Sequence, residues 1–385
     1  MKKIYYWSPH LSNDIATIKS VKNSAISFKD YSNNYSISIL DAVGEWISHK
    51  ELFLNKNIDI ISLGKNIYNY LLRGSFLRSR FSYIKIFFFS FFPLIKILKK
   101  NEPDYLIVHL ITSLPIFIFL IFNFKTKLIL RISGLPKLNF FRYYFWKVAN
   151  NKILYVICPS KATYEYLIKI KIFDRSKIFL INDPIIDINE FKFFKTKKIE
   201  DSKFFLNNVV LAGRLTKQKN FILFINAFKE ILKKIPKLKA NIIGKGEDKI
   251  LLEKKIKDIN LFNDVYLSGY KENIYSYFYN SKFFILTSLW EDPGFVLIEA
   301  AMCNLILISS DCPNGPAEFL NYGNCGFLYK SNSIEDLINK FIEAHNCSED
   351  IQKKKKFLAK KNCLNYTKFK HFNKLHALLS KNTLC

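Results

Sequence analysis

Residues 290–300 read WEDPGFVLIEA, and this stretch does most to indicate the fold. It follows an apolar run that ends near Ser288, so a buried strand is expected to lead through a turn into a helix. Asp292 can cap that helix and Pro293 can take its first position, while Gly294 lets the backbone approach a ligand closely. The stretch therefore predicts a strand–turn–helix unit whose helix begins at a site for an anion.

Two carboxylates, Glu291 and Glu299, stand eight positions apart across this turn. Carboxylates repel phosphate oxygens but accept hydrogen bonds from hydroxyl groups. Next to a helix N-terminus that suits a diphosphate, the pair is expected to bind sugar hydroxyls. The alternative is that Glu299 interacts only with the helix dipole and that Glu291 is a solvated loop charge.

A second apolar run, at residues 209–220, reads VVLAGRLTKQKN. It predicts a strand that ends at Gly213, with Arg214 at its carboxyl end and Lys219 at the start of the next helix. Two cations at the mouth of a parallel sheet would neutralise a diphosphate, Arg as a fork and Lys as a point charge. The alternative is an ordinary basic turn.

Short apolar runs alternate with helical patterns along the chain, which predicts parallel sheets of the βαβ type. The length of 385 residues suggests two domains, and the Lys-rich stretch 189–207, which lacks a clean period, marks their junction. Phe369, Phe372 and Leu375 indicate one further amphipathic helix near the C-terminus. The predicted strands are Ile4–Trp7, Ile58–Leu63, Tyr105–Val108, Lys127–Ile132, Leu154–Cys158, Asn208–Ala212, Lys239–Ile243, Val265–Ser268, Phe283–Thr287 and Leu305–Ser309.

The formal net charge is +27, with 59 Lys and Arg against 32 Asp and Glu. Such a charge suits nucleic acid, anionic lipid or phosphorylated substrates. Only seven of these cations are Arg, and Lys, Ile, Asn, Phe and Tyr are all frequent, as AT-rich codons would produce. Because nucleic-acid readers rely on Arg and no nucleic-acid-binding motif occurs, no nucleic-acid partner is expected.

The seven Cys form no C-x-x-C pair and the six His no H-E-x-x-H motif, which argues against a disulfide scaffold and a zinc site. The N-terminus has no signal-peptide pattern, so a cytoplasmic location is expected. The apolar stretch 105–124 divides into a strand and a helix opening at Ser113 and Pro115. The basic, aromatic stretch 84–100 is interrupted by Pro93, which is expected to kink or break any helix there. It suits peripheral contact with the inner face of the cytoplasmic membrane, the alternative being a core segment with snorkelling lysines.

Together these motifs resemble the retaining GT-B glycosyltransferases of family 4, the glycosyl transferases group 1. The resemblance is carried by Gly-Arg-Leu-x-x-x-Lys at 213–219 and Glu-x7-Glu at 291–299. Between and after them come the glycine turn at 242–247, the strand before the base-binding loop at 267–270, and the loop and helix start at 309–318. The resemblance covers about Val209–Asp336. The N-terminal half resembles the family only in its alternation of strands and helices.

The resemblance implies an α/β GT-B fold, with two Rossmann-like doubly wound domains and an interdomain cleft. Residues 1–195 would form the acceptor-binding domain, 205–365 the nucleotide-sugar-binding domain, and 366–385 a helix that crosses back to the first domain. The activity implied is that of a retaining hexosyltransferase (EC 2.4). It would move a sugar from a UDP- or GDP-sugar to a cell-surface glycan or a lipid-linked oligosaccharide acceptor.

The resemblance also assigns roles to residues. Arg214 and Lys219 would hold the diphosphate, Glu299 the ribose and Glu291 the transferred sugar. His109 is a catalytic candidate on a different ground: it ends the predicted strand Tyr105–Val108, where it could orient the acceptor or the donor sugar. The family usually needs no metal, so neither metal nor cofactor is expected, and no D-x-D occurs. The further residues predicted to bind the donor are Gly213, Gly244, Tyr270, Ile274, Pro293, Gly294 and Phe295.

The acceptor side is less defined, because residues 8–17 lack the double-glycine loop that many members have after the first strand. Asn13, Arg131 and Ser133 are the candidates there, and the alternative for His109 is a structural histidine with satisfied hydrogen bonds. Two other functions stay open: a sugar synthase with a soluble acceptor, and a non-catalytic protein that binds nucleotide-sugar or nucleic acid.

Overall fold

The computed structural model describes residues 1–11, 16–72, 76–195 and 208–381. They divide into a first unit, residues 1–184 with 368–385, and a second unit, residues 185–367. The strands are β1 Lys2–Trp7, β2 Tyr35–Asp41, β3 Asp59–Ser62, β4 Tyr105–Val108, β5 Lys127–Arg131, β6 Ile153–Cys158, β7 Ile178–Leu180, β8 Asn208–Ala212, β9 Ala240–Ile243, β10 Val265–Gly269, β11 Ser281–Leu286, β12 Ile306–Ser310 and β13 Phe327–Tyr329. The α-helices are α1 Ala16–Tyr31, α2 Glu51–Leu54, α3 Phe76–Asn101, α4 Ser113–Ile121, α5 Phe140–Ala149, α6 Lys161–Ile170, α7 Ile188–Lys195, α8 Phe221–Lys234, α9 Lys249–Asp258, α10 Ile274–Tyr279, α11 Phe295–Met302, α12 Pro316–Phe319, α13 Ile334–Asn346, α14 Glu349–Cys363 and α15 Lys368–Ser380.

The first unit is built on a parallel sheet in the order β3-β2-β1-β4-β5-β6-β7. Alternate residues of each strand face opposite sides, and both sides are apolar. In β4, Leu106 and Val108 join one core cluster, whereas Tyr105 and Ile107 join the other. A sheet buried on both faces needs a helical layer on each, which is the doubly wound arrangement.

The second unit repeats this plan with a parallel sheet in the order β10-β9-β8-β11-β12-β13. The strand order reverses between β8 and β11, as it does between β1 and β4 in the first sheet. Every strand predicted from the sequence is present, and β2, β7 and β13 are additional. Ligands of doubly wound sheets bind outside the carboxyl ends of the strands at such a reversal.

The boundary of the second unit lies at Ile185, before the predicted domain end at residue 195. Helix α7 belongs to the second unit because Phe191 packs against α10, with ring centroids 5.9 Å from Tyr275 and 5.5 Å from Tyr279. The C-terminal helix α15 groups with the first unit, where Phe372 packs 5.4 Å from Phe28 of α1.

Pro93 is expected to kink or break any helix in the stretch 84–100, and a break does not occur, because α3 runs through Pro93 to Asn101. Proline removes one backbone hydrogen bond, but Leu94 and Leu98, buried in the core beyond it, hold the last turns in place. The division of stretch 105–124 into a strand and a helix is confirmed by β4 and α4. Helix α4 starts at Ser113, with Thr112 rather than Ser113 at the N-cap.

The chain leaves the first unit through residues 182–184, which are tied to several elements. Arg131 at the end of β5 donates to both carboxylate oxygens of Asp183, in an ion pair whose side chains are only 5% and 2% exposed. Ser20 of α1 donates to the same carboxylate at 2.8 Å. His371 of α15 bonds the Asn182 carbonyl oxygen through Nδ1 at 2.8 Å, and burial lowers the pKa of His371 to about 4. His371 is therefore a neutral donor that ties α15 to this exit.

We expect Arg131→Ala to lower the free energy of unfolding by about 3–5 kcal/mol, because it leaves the Asp183 carboxylate buried without its cation. Urea unfolding of the intact chain measures this. Arg142→Ala is the matched control: Arg142 is exposed on α5, and its loss is expected to cost under about 0.5 kcal/mol. Equal effects of the two substitutions would contradict a stabilising role for the buried pair.

Candidate active site

The candidate site lies at the reversal of the second sheet, where β8 and β11 run parallel and side by side. The loop that follows β8 and the loop that follows β11 are hydrogen-bonded to each other. Gln218, after β8, accepts a backbone hydrogen bond from Leu289, after β11, at 2.8 Å. Thr287 donates through its hydroxyl to the carbonyl oxygen of Lys219 at 2.6 Å. These bonds bring the two motifs predicted from the sequence into one site.

Lys219 and Glu291 form the centre of this site. Lys219 Nζ donates to Glu291 Oε1 at 2.5 Å, and the two side chains are 12% and 6% exposed. The Ser288 hydroxyl donates to the same oxygen at 2.5 Å. The carboxylate is thus held from two sides in a nearly buried position, where electrostatic interactions are weakly screened.

Gly213 makes room for the lysine. A Cβ atom at this position would stand 3.0 Å from Lys219 Cε and 3.2 Å from Cδ, tighter than ordinary packing, and the backbone φ of +151° suits glycine. The aliphatic part of Lys219 therefore crosses the bare backbone at the end of β8. Gly244, which directly follows the neighbouring strand β9, is packed more tightly still: a Cβ there would lie 1.8 Å from the Gly213 carbonyl oxygen.

Arg214 is the exposed cation of the site. Its Nη2 lies 3.4 Å from Gln218 Oε1, and Gln218 in turn donates to the Trp290 carbonyl oxygen at 2.8 Å. A guanidinium at the rim reaches solvent and can form two parallel bonds to a phosphate. Lys219 and Arg214 thus offer one buried and one accessible positive charge within a single loop.

The turn before α11 differs from the prediction. Asp292 and Pro293 neither cap nor start the helix: Gly294, at φ +96°, is the N-cap residue without a side-chain cap, and Phe295 is the first helical residue. The Asp292 carboxylate instead accepts a hydrogen bond from Asn314 Nδ2 at 3.0 Å. Because no capping side chain covers this end, the helix N-terminus keeps its suitability for an anion.

Glu299 lies on α11, 6% exposed, with the Tyr275 hydroxyl 3.5 Å from its Oε1. Burial and the nearby Glu299 carboxylate raise the pKa of the Cys303 thiol above its usual range. Cys303 is therefore a protonated thiol and not a nucleophile. Glu291 lies in the loop before α11 and Glu299 lies in the second turn of the helix, so the two carboxylates stand on either side of the helix start.

The predicted loop for the base follows β10. Gly244 donates to the Gly269 carbonyl oxygen at 2.9 Å, which joins the ends of β9 and β10. The Tyr270 ring is 59% exposed and lies 4.9 Å from Lys245 Nζ. Ile274 begins α10, whose N-cap Asn273 accepts from the Ser276 backbone N–H at 3.2 Å. An exposed aromatic ring beside a cation is suited to stacking against a base.

The remaining candidates lie in the first unit. His109 follows β4, donates its backbone N–H to the Trp7 carbonyl at 2.9 Å and is 5% exposed. Burial, then the Arg131 charge, hold the pKa of His109 well below its usual range, so the ring is neutral. Arg131 is engaged by Asp183, Ser133 is half-buried after β5, and Asn13 lies outside the described residues.

Sequence reasoning missed several polar residues at these strand ends. Ser288 comes directly after the strand predicted at Phe283–Thr287. Its position at the carboxyl end of a strand could have marked it as a site residue. In the first unit, Ser8 Oγ and Trp46 Nε1, like His109 Nδ1, are buried and have no hydrogen-bond partner among the described residues. Ser8 and His109 follow the adjacent strands β1 and β4, at the reversal of the first sheet. In the described part of the chain, no three His, Cys, Asp or Glu side chains are grouped as metal ligands.

Comparison with known proteins agrees with this architecture. The sequence profile of the family described as glycosyl transferases group 1 matches residues 189–361. An uncharacterised glycosyltransferase of Methanocaldococcus jannaschii is 30% identical over 284 residues, 63% of this chain and 68% of that protein. The N-acetylgalactosamine-N,N'-diacetylbacillosaminyl-diphospho-undecaprenol 4-alpha-N-acetylgalactosaminyltransferase of Campylobacter jejuni is 26% identical over 250 residues, 62% of this chain and 67% of that protein.

The crystal structure of the Anabaena protein HepE in complex with UDP and glucose superposes with a TM-score of 0.73 at 16% identity, over 99% of this chain and 100% of that chain. At this identity the likeness concerns the fold, two parallel doubly wound sheets of the GT-B type. The chain therefore belongs to the glycosyl transferases group 1 family and is a glycosyltransferase with the GT-B fold.

Proposed function

We propose that this glycosyltransferase is a retaining enzyme that transfers a sugar from a UDP- or GDP-sugar to a cell-surface glycan or a lipid-linked oligosaccharide. The observation that carries the proposal is the Lys219–Glu291 pair, held at the strand reversal beside Arg214 and the N-terminus of α11. The diphospho-undecaprenol in the name of the Campylobacter relative supports a lipid-linked acceptor. Such an acceptor would be met at the inner face of the cytoplasmic membrane.

The donor would be bound through its diphosphate. Arg214 is exposed and would contact the phosphates first, while Lys219 would contribute a charge already fixed in position by Glu291. As the bond to the sugar breaks, negative charge grows on the leaving diphosphate. Fixed cations and helix N–H groups stabilise that charge without having to reorganise. Tyr270 would stack on the base and Glu299 would accept hydrogen bonds from the ribose.

The surroundings of Glu291 favour a binding role for this carboxylate over a nucleophilic one. Its Oε1 already accepts from both Lys219 and Ser288, which lowers its nucleophilicity and fixes its direction. It would accept hydrogen bonds from hydroxyls of the transferred sugar. With no other carboxylate predicted to attack, the acceptor hydroxyl would enter on the face that the diphosphate leaves, which retains the anomeric configuration. The α linkage in the name of the Campylobacter relative is the product that retention gives from an α-linked donor.

The acceptor would be bound at the strand reversal of the first sheet. Ser8, Trp46 and His109 each bury a polar atom without a hydrogen-bond partner in the described part of the chain. An unmet buried polar group costs about 1–3 kcal/mol, which hydroxyl groups of a sugar would recover. The neutral His109 ring can either donate or accept. Arg131 contributes less to this proposal than the sequence suggested, because Asp183 occupies its guanidinium.

We expect UDP or GDP, with the matching nucleotide-sugar, to raise the melting temperature in a thermal-shift screen that also includes ADP. A ligand at about 100 times its Kd adds ~2.7 kcal/mol. Arg214→Ala is expected to reduce that shift, and Arg214→Ala or Lys219→Ala to lower turnover by about 10²–10³-fold through lost charge stabilisation. Lys217→Ala, an exposed neighbour in the same loop, is the matched control and should change neither.

Full activity in both the Arg214 and Lys219 variants would overturn the diphosphate assignment. Turnover with small soluble sugars and none with lipid-linked acceptors would instead favour the sugar synthase. RNA binding that weakens with salt, in the absence of any response to nucleotides, would favour the non-catalytic alternative.

Transfer is expected to proceed at an unchanged rate after dialysis against EDTA, because Arg214, Lys219 and the α11 N-terminus would supply the positive charge that a metal gives other transferases. The assay compares EDTA-treated enzyme with and without added Mg²⁺ or Mn²⁺, using release of the nucleoside diphosphate as the readout. A loss of activity that either metal restores would contradict the proposed metal independence.

A further inference from the structure

The outer side of three neighbouring helices in the first unit is strongly apolar. Helices α3, α4 and α5 cover one face of the first sheet, and Phe117 of α4 packs 5.9 Å from Phe87 of α3. Their outward side chains are 39–81% exposed. We call this the aromatic face, and its residues are Leu77, Phe81, Ile84, Phe88, Phe92, Phe117, Ile121, Phe140, Phe141, Tyr144 and Val148.

Helix α3 has two distinct sides. Ser82, Ile86, Ser90, Leu94 and Leu98, which recur every four residues, are buried against the unit. The exposed residues of the aromatic face recur at three or four positions on the other side, the spacing of one helical stripe. In the described part of the chain, α3 is the one helix long and apolar enough to cross a bilayer: an 18-residue window within Leu77–Asn101 has a mean hydropathy of 1.7. Because its inner stripe belongs to the protein core, α3 can lie along a membrane but cannot cross it without unfolding the unit.

The charges carried by these three helices share one sign. Helices α3, α4 and α5 contain no Asp or Glu. The acidic residue just beyond α3, Glu102, is paired with Lys125 at 2.9 Å. A second copy of the same face would bring like charges together, whereas an anionic surface complements them. The cations on these helices are Arg78, Arg80, Lys85, Lys96, Lys99, Lys100, Arg142 and Lys147.

We propose that the aromatic face is a bilayer-binding surface, which lies flat on anionic phospholipid with its rings among the acyl-chain ends and its Lys and Arg at the phosphates. This arrangement is that of interfacial helices with an apolar side and flanking cations. One part of this inference rests on the proposed function: if the acceptor is attached to a lipid, this surface brings the enzyme to the membrane that holds the acceptor. The contact extends over three helices and is not limited to the stretch 84–100.

The test is co-sedimentation of the full chain with phosphatidylglycerol-containing vesicles and with pure phosphatidylcholine vesicles at low salt. We expect binding to the anionic vesicles. Phe88 and Phe92 are 71% and 76% exposed in the protein. The double variant Phe88→Glu/Phe92→Glu should lower the partition coefficient by at least about tenfold, because each substitution removes an aromatic ring that would be buried in the bilayer. Lys96→Glu/Lys100→Glu should reduce binding to the anionic vesicles mainly at low salt.

The matched control is Ile250→Glu/Phe262→Glu in the second unit, where the side chains are 78% and 61% exposed and binding should be unchanged. Each variant is also melted with and without UDP and GDP, so that loss of vesicle binding is distinguished from loss of fold or of the donor site. Absence of binding by the unaltered chain, or equal binding by the Phe88/Phe92 variant, would overturn the proposal. So would a dimer that the same variant dissociates, which would make the face an interface between copies.

Discussion

The buried ion pair between Lys219 and Glu291 is the interaction on which the candidate site depends. Each partner follows a different strand, so the pair can form only if β8 and β11 lie side by side at the reversal of the sheet. Two charges removed from water are tolerated only when paired and further hydrogen-bonded, and Ser288 supplies the additional bond. The ion pair also requires glycine at positions 213 and 244. A side chain at Gly213 would meet Lys219, and one at Gly244 would meet the Gly213 backbone.

The ion pair also makes the two cations, Lys219 and Arg214, differ in their access to a ligand. Lys219 is neutralised by Glu291, whereas Arg214 faces solvent. An approaching anion therefore meets the guanidinium before it meets the ammonium. Under the proposed function, the nearly buried Lys219 would contribute chiefly through its fixed position, since a charge that needs no reorganisation is the more effective in catalysis.

The sequence predicts the second unit well because its motifs combine a buried strand with the polar residues that follow it. Its limits have local causes. Strand β2 alternates Ser36 and Ser38 with apolar residues, so it does not stand out as an apolar run, and β7 and β13 have three residues each. The prediction that the helix starts at Asp292 and Pro293 is wrong because Asn314, 22 residues along the chain, donates to the Asp292 carboxylate, which therefore does not cap the helix. Asp183, the ion-pair partner of Arg131, lies 52 residues away in the sequence. No local sequence pattern predicts this pairing.

The return of α15 to the first unit has a consequence for the order in which the chain folds during synthesis. The second unit is an insertion: residues 185–367 lie between the two segments of the first. The ribosome thus delivers the whole second unit before the last helix of the first. Until α15 emerges, Phe28 lacks the ring of Phe372, and the Asn182 carbonyl oxygen lacks His371. The first part of the chain to be made is therefore the last to be completed, and its nascent form presents an uncovered apolar surface for the longest time.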